Sequence, residues 1–357
     1  MDSNRHVLVA MSGGVDSSAT AAMLQEAGYS IAGATMKLYA PACGTSDRPC
    51  GTEDNIADAS RVCTKLGIRF YTFDFTDIFQ KEVIQRFADG YARGLTPNPC
   101  VDCNRNLKFG KLLEQARAEG YDTIATGHYA RIEYSDTYGR WILKKGCAPS
   151  KDQSYVLYSM TQDELAHTLL PLGTFEKNEI RAKAEAYGLV NARKKDSQDI
   201  CFIPDGDHGR FLCENCGLHA VPGSFIDKNG NILGQHRGMI YYTVGQRRGL
   251  GISADRRLYV IDKNVRDNTV TVGYEEDLLC NSFTVSDVNW IAWDSVTEPI
   301  RCRVRTRYHG TETPATVTPA GDHVLVTLDT PQRAVSPGQA AVFYDGDIVL
   351  GGGTITE

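Results

Sequence analysis

The strongest constraint on the fold is a glycine-rich turn that joins a mostly apolar run to a helix-like stretch near the N-terminus. The run His6–Ala10 is typical of a strand, and Met11-Ser12-Gly13-Gly14-Val15-Asp16-Ser17-Ser18 leads from it into a predicted helix over Val15–Ala27. Paired glycines let backbone N–H groups approach a polyphosphate, while the helix N-terminus adds partial positive charge and the serines add hydroxyl donors. The pattern predicts a phosphate-binding turn, although Gly-Gly-x-Asp also caps ordinary helices. The lysine of a Walker-type loop is absent, which argues against γ-phosphate transfer.

Strand-like and helix-like segments alternate over the first 200 residues or so. The predicted strands are His6–Ala10, Ile31–Leu38, Arg69–Asp74 and Thr123–Thr126, and the predicted helices are Val15–Ala27, Thr52–Leu66, Asp77–Tyr91 and Arg105–Glu119. Alternation of this kind predicts an α/β fold with a doubly wound parallel sheet. Nucleotides in such sheets bind beyond the carboxyl ends of the strands, which is where the glycine-rich turn would lie.

After about Phe202, short β-prone segments and turn signals replace the helical periodicity. The predicted strands here are Ser224–Ile226, Met239–Tyr242, Leu258–Ile261, Thr269–Val272, Ser282–Val285, Arg301–Thr306, Ala315–Thr318, His323–Leu328 and Ala340–Tyr344, with turns at Ala320–Asp322 and Asp345–Asp347. Such spacing favours a small β-rich domain followed by an antiparallel barrel. We therefore expect three domains, over residues 1–201, 202–279 and 280–357.

Composition narrows the class of protein. No segment of the 357 residues approaches the roughly 20 apolar residues that a membrane helix needs, and the first residues lack the regions of a signal peptide. We expect a cytoplasmic protein with no membrane partner. The net charge of −6 argues against a broadly basic nucleic-acid binder. It leaves room for a local basic surface. Basic residues that could contribute to one are Lys194-Lys195, Arg247-Arg248, Arg256-Arg257 and the arginines within Arg301–Arg307.

Eleven cysteines, an odd number in a chain expected to be cytoplasmic, favour thiol chemistry or metal binding over a disulfide framework. One candidate segment is Thr96–Asn104, which we predict to be a proline-stiffened loop leading into a helix at Arg105. A thiol just before a helix gains thiolate character. The other candidate is Cys201, at the predicted boundary of the first domain. Taken alone, a cysteine of Thr96–Asn104 or Cys201 is more readily interpreted as a buried apolar side chain.

The other cysteines give weaker signals. A zinc site built from Cys100, Cys103, Cys213 and Cys216 is disfavoured, because the two pairs lie much further apart than in ordinary zinc ribbons. The remaining cysteines are interpreted as incidental or as small apolar side chains: Cys43, Cys50, Cys63, Cys147, Cys280 and Cys302.

Taken together, these segments resemble the bacterial tRNA-specific 2-thiouridylase family, ATP pyrophosphatases that convert the wobble uridine of certain tRNAs to 2-thiouridine. The resemblance covers essentially the whole chain. The motifs that carry it are Gly13–Ser18, Met36-Lys37, Asn98-Pro99, Cys103-Asn104, Lys108–Gly110, Ala125–Tyr129, Lys151–Tyr155, Asp196-Ser197, Ile200–Ile203, Gly245–Gly251, Arg307-Tyr308 and Pro337–Gln339.

The resemblance implies roles for individual residues. Those that would surround ATP are Ala10, Met11, Ser12, Gly13, Gly14, Val15, Asp16, Ser17, Met36 and Gly127, with Mg²⁺ near Asp16. Asn98, Pro99 and Cys100 would line the pocket of the flipped-out base, Cys103 would be the nucleophile, and Cys201 would carry the persulfide sulfur. The residues that would contact tRNA are His128, Lys151, Asp152, Gln153, Arg307, Tyr308 and Gln339. The domain over residues 202–279 would contact tRNA, and the barrel over residues 280–357 would bind it.

The implied chemistry adenylates the C2 oxygen of the uridine and then replaces it with sulfur. A cysteine desulfurase or a sulfur-relay protein would supply the persulfide, and a reductant would reopen a Cys103–Cys201 disulfide after each turnover. The substrates would be tRNAs of the Lys, Glu and Gln type, whose base must leave its stack. One position departs from the pattern: many members have Asp where this chain has Cys100. The acid–base role proposed for that carboxylate therefore does not transfer, and Asp102 is not an aligned substitute.

Three alternatives stay open at the level of sequence. The first is thiolation of tRNA through an iron–sulfur cluster held by Cys100, Cys103 and Cys201. The second is another ATP pyrophosphatase, such as an amidotransferase or a ligase that adenylates a small molecule and needs neither Cys103 nor Cys201. The third is a non-catalytic RNA-binding module, which the intact ATP loop disfavours.

Overall fold

The structure is a computed structural model that describes residues 6–39, 53–194 and 200–356. Its strands are β1 (His6–Ala10), β2 (Ser30–Lys37), β3 (Arg69–Asp74), β4 (Thr123–Ala125), β5 (Ala130–Ser135), β6 (Arg140–Lys145), β7 (Thr168–Leu169), β8 (Gly223–Ile226), β9 (Ile232–His236), β10 (Tyr259–Asn264), β11 (Thr269–Gly273), β12 (Leu279–Trp290), β13 (Ile300–Arg305), β14 (Thr313–Ala320), β15 (His323–Arg333), β16 (Ala340–Asp345) and β17 (Ile348–Ile355).

The helices are mostly short. The α-helices are α1 (Val15–Glu26), α2 (Glu53–Leu66), α3 (Thr76–Phe79), α4 (Arg86–Ala92), α5 (Pro99–Asp102), α6 (Leu112–Ala118), α7 (Gln162–Ala166), α8 (Lys177–Ala186) and α9 (His208–Cys216). π-Helical segments Gln80–Gln85 and Cys103–Lys111 join α3 to α4 and α5 to α6, and 3₁₀ turns lie at Ser154–Leu157, Pro171–Thr174, Met239–Tyr241 and Glu275–Leu278. Within the described ranges, no helix is both long and apolar enough to span a membrane.

The first domain is built on a five-stranded sheet of order β3-β2-β1-β4-β7, in which every neighbouring pair is parallel. Leu8 of β1 packs into one hydrophobic cluster, while Val7 and Val9 pack into another with residues of α1, α2 and α8. A strand that buries both faces needs helices on both sides of the sheet. The predicted doubly wound α/β fold is therefore confirmed.

One predicted helix begins six residues earlier than expected. The helix placed at Arg105 starts at Pro99, and it continues through Cys103–Lys111 to the end of α6. Asn98 is its N-cap, and its side-chain Oδ1 accepts a hydrogen bond from the Cys100 N–H at 3.1 Å. Proline at the first helical position has no N–H to leave unsatisfied. The prediction of a loop over these residues was wrong beyond Asn98, because the Asn-Pro pair starts a helix here.

The middle part contains a four-stranded sheet of order β10-β11-β8-β9, with Phe225, Val260 and Val270 in its core. The strand predicted over Met239–Tyr242 was wrong. These residues form a 3₁₀ turn after Gly238, which has φ +136°. A short apolar run does not by itself distinguish a strand from a helical turn. Helix α9 and strand β9 were not predicted.

The C-terminal part is an antiparallel barrel of six strands, β12-β15-β14-β13-β16-β17, which closes through pairing of β12 with β17. The predicted turns are present, with Gly321 at φ +75° and Gly346 at φ +58°. The predicted antiparallel barrel is confirmed. The hairpin of β5 and β6 extends the same sheet, since Leu143 pairs with Val349. The first part of the chain thus contributes two strands to the C-terminal sheet.

Candidate active site

The glycine-rich turn lies at the carboxyl end of β1, as predicted. Gly13 has φ +73°, and a Cβ on it would lie 2.5 Å from the carbonyl oxygen of Asn55. Only glycine fits this backbone. Met11 fixes the turn to β2, because its N–H donates to the Ala34 carbonyl at 2.7 Å and its carbonyl accepts from Thr35 Oγ1 at 2.6 Å. The turn is therefore held in one shape between the sheet and α2.

Two residues from the segment after α8 bind the carbonyl groups of the turn. Asn191 Nδ2 donates to the carbonyl oxygens of Gly13 and Gly14 at 3.0 and 3.2 Å. Lys194 Nζ lies 3.2 Å from the Gly13 carbonyl and 2.8 Å from a carboxylate oxygen of Asp58. These contacts hold the carbonyl groups against the protein and place a cation beside the turn. Sequence reasoning missed Asn191, which carries no motif signal of its own.

The carboxylate of Asp16, which we expect to lie near Mg²⁺, forms an ion pair with the ammonium group of Lys177. Its two carboxylate oxygens accept from Lys177 Nζ at 2.7 and 2.8 Å, and Tyr129 donates its hydroxyl to the same carboxylate at 2.8 Å. The side chain of Lys177 is 11% exposed and that of Asp16 is 30% exposed. A Cβ on Gly127 would lie 2.9 Å from the Ser17 nitrogen, so the end of β4 closely approaches the start of α1. Lys177 was not predicted as a site residue.

The serines of the turn bond mainly to one another and to the backbone. Ser17 Oγ accepts from the Ser12 N–H at 3.1 Å and donates to the Gly14 carbonyl at 3.2 Å. Ser18 Oγ donates to the same carbonyl at 2.9 Å. These bonds shape the start of α1 and keep hydroxyl groups next to its first N–H groups, where an anion is favoured.

Cys100 and Cys103 lie on the helix that begins at Pro99. Cys100 is exposed in the first turn, while Cys103 is 8% exposed and opens the π-helical segment. Their spacing of three puts both on one face of the helix. Because the helix starts at Pro99, the dipole argument applies to Cys100 and not to Cys103. π-Helical turns often mark functional positions.

Cys201 is half-buried and packs against the same hydrophobic cluster that contains Cys103. The next residue, Phe202, anchors it, with its ring 5.7 Å from the rings of both Phe79 and Phe87. The helical run with those two rings packs against the run with Cys103. Two cysteines that are distant in sequence thus belong to, or pack against, one hydrophobic cluster.

Three other cysteines have thiols of raised pKa and therefore low reactivity. Burial raises the pKa of Cys63 and of Cys216 to about 11, and that of Cys302 to about 12. A thiol that stays protonated at neutral pH is a poor nucleophile and metal ligand. Within the described residues, no three His, Cys, Asp or Glu side chains are grouped to hold a metal ion. Cys43 and Cys50 lie outside the described residues, as do Lys195, Asp196 and Ser197.

Hydrogen bonds join the C-terminal barrel region to the segment before the helical run of residues 99–118, which carries Cys100 and Cys103 and is called the cysteine helix below. The Thr96 N–H donates to the Pro337 carbonyl at 2.8 Å, and Gln339 Nε2 donates to the Thr96 carbonyl at 2.7 Å. Burial raises the pKa of Tyr308, and the nearby acidic groups of Asp152 and Cys100 add to the effect. Tyr308 of the barrel region contacts the first part of the chain, with its ring 6.1 Å from that of Tyr155.

A cavity of about 210 Å³ lies at this junction, lined by Asn98, Asp102 and Tyr158 of the first part of the chain and by Gly338 and Ala340 of the last. Burial raises the pKa of Asp102 to about 6, although the guanidinium groups of Arg86 and Arg105 oppose the shift. Clefts between domains with a few converging polar groups are typical ligand sites.

Comparison with known proteins accounts for the whole chain. Three family models match in succession: the tRNA methyl transferase HUP domain over residues 5–205, the tRNA methyl transferase PRC-barrel domain over 209–274, and the aminomethyltransferase beta-barrel domain over 280–355. The tRNA-specific 2-thiouridylase MnmA of Acetivibrio thermocellus is 48% identical, with 99% of each chain covered. The chain belongs to the tRNA-specific 2-thiouridylase family. The resemblance predicted from the motifs is confirmed.

Other members of this family match equally well along their length. MnmA 1 of Caldanaerobacter subterraneus is 47% identical over 100% of this chain and 99% of its own. MnmA of Clostridioides difficile is 43% identical over 99% of both chains. These full-length matches place the turn, the cysteine helix and the barrel within one family architecture.

Some of the residues expected to contact tRNA have exposed or half-buried side chains, and others are bound to partners inside the protein. Arg307 is exposed and Lys151 is half-buried. His128 is buried, with Nδ1 2.7 Å from Thr126 Oγ1, and burial lowers its pKa well below the usual range, as does nearby Lys108.

Asp152 and Gln153 also have partners inside the protein. Asp152 is buried and accepts from Arg305 Nη1 at 3.2 Å, and Gln153 Oε1 accepts from the Tyr129 N–H at 2.9 Å. These contacts, like that of Gln339 with Thr96, shape the surface from within. Direct contact of these residues with RNA stays a prediction.

Proposed function

We propose that this chain is a tRNA-uridine 2-sulfurtransferase. It activates the C2 oxygen of the wobble uridine with ATP and replaces that oxygen with sulfur, releasing AMP and pyrophosphate. The observation that carries the proposal is the packing of Cys103 and Cys201 at one hydrophobic cluster, in a domain that also contains the glycine-rich turn. Relatives named tRNA-specific 2-thiouridylase match it from end to end.

In the first step, the turn would hold the pyrophosphate of ATP while the uridine oxygen attacks the α-phosphorus. The N–H groups at the start of α1 and the ammonium group of Lys194, which contacts the turn, would stabilise the negative charge that develops on the leaving pyrophosphate. Carboxylate and hydroxyl oxygens of Asp16 and Ser17 are donors that suit Mg²⁺. Bound with ATP, Mg²⁺ would neutralise phosphate charge. The ion pair with Lys177 would keep the Asp16 carboxylate compensated before the nucleotide arrives.

In the second step, the terminal sulfur of a persulfide on Cys201 would attack C2 and expel AMP, which carries away the former uridine oxygen. The adduct then joins C2 to Cys201 through two sulfur atoms. Attack of the Cys103 thiolate on the Cys201 sulfur breaks that S–S bond, leaves one sulfur on the base and forms a Cys103–Cys201 disulfide. Two electrons from a thiol reductant reopen the disulfide.

The proposal requires partners. A cysteine desulfurase or a sulfur-relay protein would supply the persulfide, and tRNAs of the Lys, Glu and Gln type would supply the uridine. A cluster mechanism would instead need Cys100, Cys103 and Cys201 as ligands. Within the described residues, the structure does not group these three side chains as a ligand set. We propose the disulfide route, and bound iron in anaerobically purified protein would instead support the cluster.

The adenylation step can be tested without a sulfur donor. We expect Cys103→Ser to transfer label from α-³²P ATP to unmodified tRNA and to release pyrophosphate. Asp16→Ala should form no labelled tRNA yet bind tRNA normally. Asp163→Asn is the matched control, since it removes an exposed carboxylate that is paired with Arg117 at the surface. Labelling of a small molecule in place of tRNA would instead support an adenylating ligase.

A further inference from the structure

The loop between the 3₁₀ turn at Met239–Tyr241 and β10 carries four exposed arginines: Arg247, Arg248, Arg256 and Arg257. Its base is fixed by hydrogen bonds. The Gly245 N–H donates to the Val260 carbonyl at 2.8 Å, and the Val260 N–H returns a bond to the Gln246 carbonyl at 2.9 Å. Gln246 Nε2 then donates to the Arg248 carbonyl at 3.0 Å. The arginines are therefore displayed on a loop of defined shape.

The loop lines an open concave surface. A cavity of about 250 Å³ is lined by Arg247, Arg256 and Arg257 together with Gly249–Ile252. Gly249 has φ +78° and Gly251 has φ +69°. Turns with such glycines gather backbone N–H groups into anion-binding concavities. The N–H groups of residues 247–251 donate to no acceptor within the described part of the chain.

The positive charge of the loop is largely uncompensated. Arg256 is paired with Glu276 at 2.9 Å. Arg247, Arg248 and Arg257 have no carboxylate partner within residues 6–39, 53–194 and 200–356. A concave surface that combines guanidinium groups without a carboxylate partner and N–H groups without an acceptor suits phosphate.

The loop is continuous with the surface that leads to the cysteine helix. A Cβ on Gly245 would lie 2.8 Å from Cβ of Ala334. The preceding residue, Arg333, accepts a hydrogen bond on its carbonyl from Arg307 Nη2 at 2.8 Å. Residues 337–339, a few positions further on, bind Thr96 beside the cysteine helix. The arginine loop and Arg307 thus border the same segment of the barrel.

We infer that this loop binds the phosphate backbone of the RNA whose base reaches the cysteine helix. The inference rests on the proposed function. It names the loop of the middle domain that contacts RNA phosphates, in addition to the contacts expected of Arg307 and Lys151. Free phosphate and pyrophosphate share the same chemistry, and the test below separates them from RNA.

The test compares two triple variants in binding to unmodified tRNA over a series of salt concentrations. Arg247→Gln/Arg248→Gln/Arg257→Gln removes the unpaired charges. The control removes three exposed arginines that are each paired with a carboxylate, namely Arg117, Arg193 and Arg210, again by glutamine. Net charge changes equally in both.

We expect the loop variant to reduce the slope of log affinity against log salt by about two to three units, since each lost phosphate contact removes about 0.7–0.9. The ratio of wild-type to variant affinity should then change about 20- to 40-fold between 50 and 200 mM salt. The control should keep the wild-type slope. A lysine version of the loop variant retains the charge and should restore the slope, which guards against loss of folding.

A loop variant that binds tRNA with the control's slope would overturn the inference while leaving the proposed function intact. So would saturable protection of the loop by inorganic phosphate or pyrophosphate at constant ionic strength with no effect of the variant on tRNA. If the unaltered protein itself fails to bind tRNA at low salt, both the proposed function and the inference are contradicted.

Discussion

Replacing Lys177 with methionine should destabilise the first domain and alter how its phosphate-binding turn responds to Mg²⁺. The ammonium group lies 2.7 and 2.8 Å from the two carboxylate oxygens of Asp16. Methionine retains most of the side-chain length, so the change removes charge and hydrogen bonds more than packing. Asp16 would keep the hydroxyl of Tyr129 as a donor, at 2.8 Å.

The size of the effect follows from burial. Removing one member of a buried ion pair costs about 3–5 kcal/mol. The Asp16 side chain is 30% exposed, so water can solvate part of the released charge. We therefore expect the free energy of unfolding to fall by about 2–3 kcal/mol. For a domain of this size, the unfolding temperature should fall by roughly 4–12 °C. The double variant Asp16→Asn/Lys177→Met should lose less than the sum of the two single variants, because it leaves no unpaired charge.

Thermal unfolding with and without millimolar Mg²⁺ provides the assay. Mg²⁺ should raise the unfolding temperature of Lys177→Met more than that of the wild type, since a divalent cation can replace the ammonium group at Asp16. Lys37→Met is the control, because Lys37 pairs with Asp74 at the surface at 3.3 Å and such pairs contribute little. If Lys177→Met unfolds like this control and shows no added response to Mg²⁺, Lys177 does not balance the charge of Asp16.

Cys103→Ser and Cys201→Ser should each reduce 2-thiouridine formation to background while still forming adenylated tRNA. Label from a persulfide donor should stay on Cys201 in the Cys103→Ser variant, and label on Cys103 in otherwise unaltered protein would reverse the roles. Cys100→Ser should lower thiolation only modestly, whereas combined loss of activity and bound iron would support a cluster. Burial raises the pKa of Asp102 to about 6, so the folded protein retains a proton that the unfolded chain releases near pH 4. Stability should therefore fall as the pH rises from about 4 to 6. Asp102→Asn should remove that slope and add up to about 3 kcal/mol at pH 7 in denaturant titrations, and an unchanged slope would contradict this.

The nucleotide domain was predictable because its signals are local. The apolar β1 is buried on both faces, and Gly13 adopts a conformation that other residues rarely take. The glycines that directly follow three of the predicted helices, Gly28, Gly67 and Gly120, all have positive φ. Periodicity and glycine placement depend on neighbouring residues, so they predict strands, helices and helix ends without knowledge of tertiary contacts.

The missed features mostly depend on contacts between distant segments. The sequence around Lys177 does not predict its ion pair with Asp16. The sequence of the hairpin of β5 and β6 does not predict its pairing with β17. The start of the cysteine helix is different, because Asn98-Pro99 is a recognisable helix N-terminus. Reading the prolines as loop stiffeners concealed it, and with it the helical positions of Cys100 and Cys103.

The most direct test of the proposed function is nucleoside analysis of tRNA after reaction. Purified protein is incubated with unmodified tRNA, ATP, Mg²⁺, a persulfide source and a thiol reductant, and the digested RNA is examined by mass spectrometry. We predict 2-thiouridine at the wobble position, with AMP and pyrophosphate formed in equal amounts and no thiolation without ATP. Consumption of ATP without 2-thiouridine, or thiolation that does not require ATP, would contradict the account.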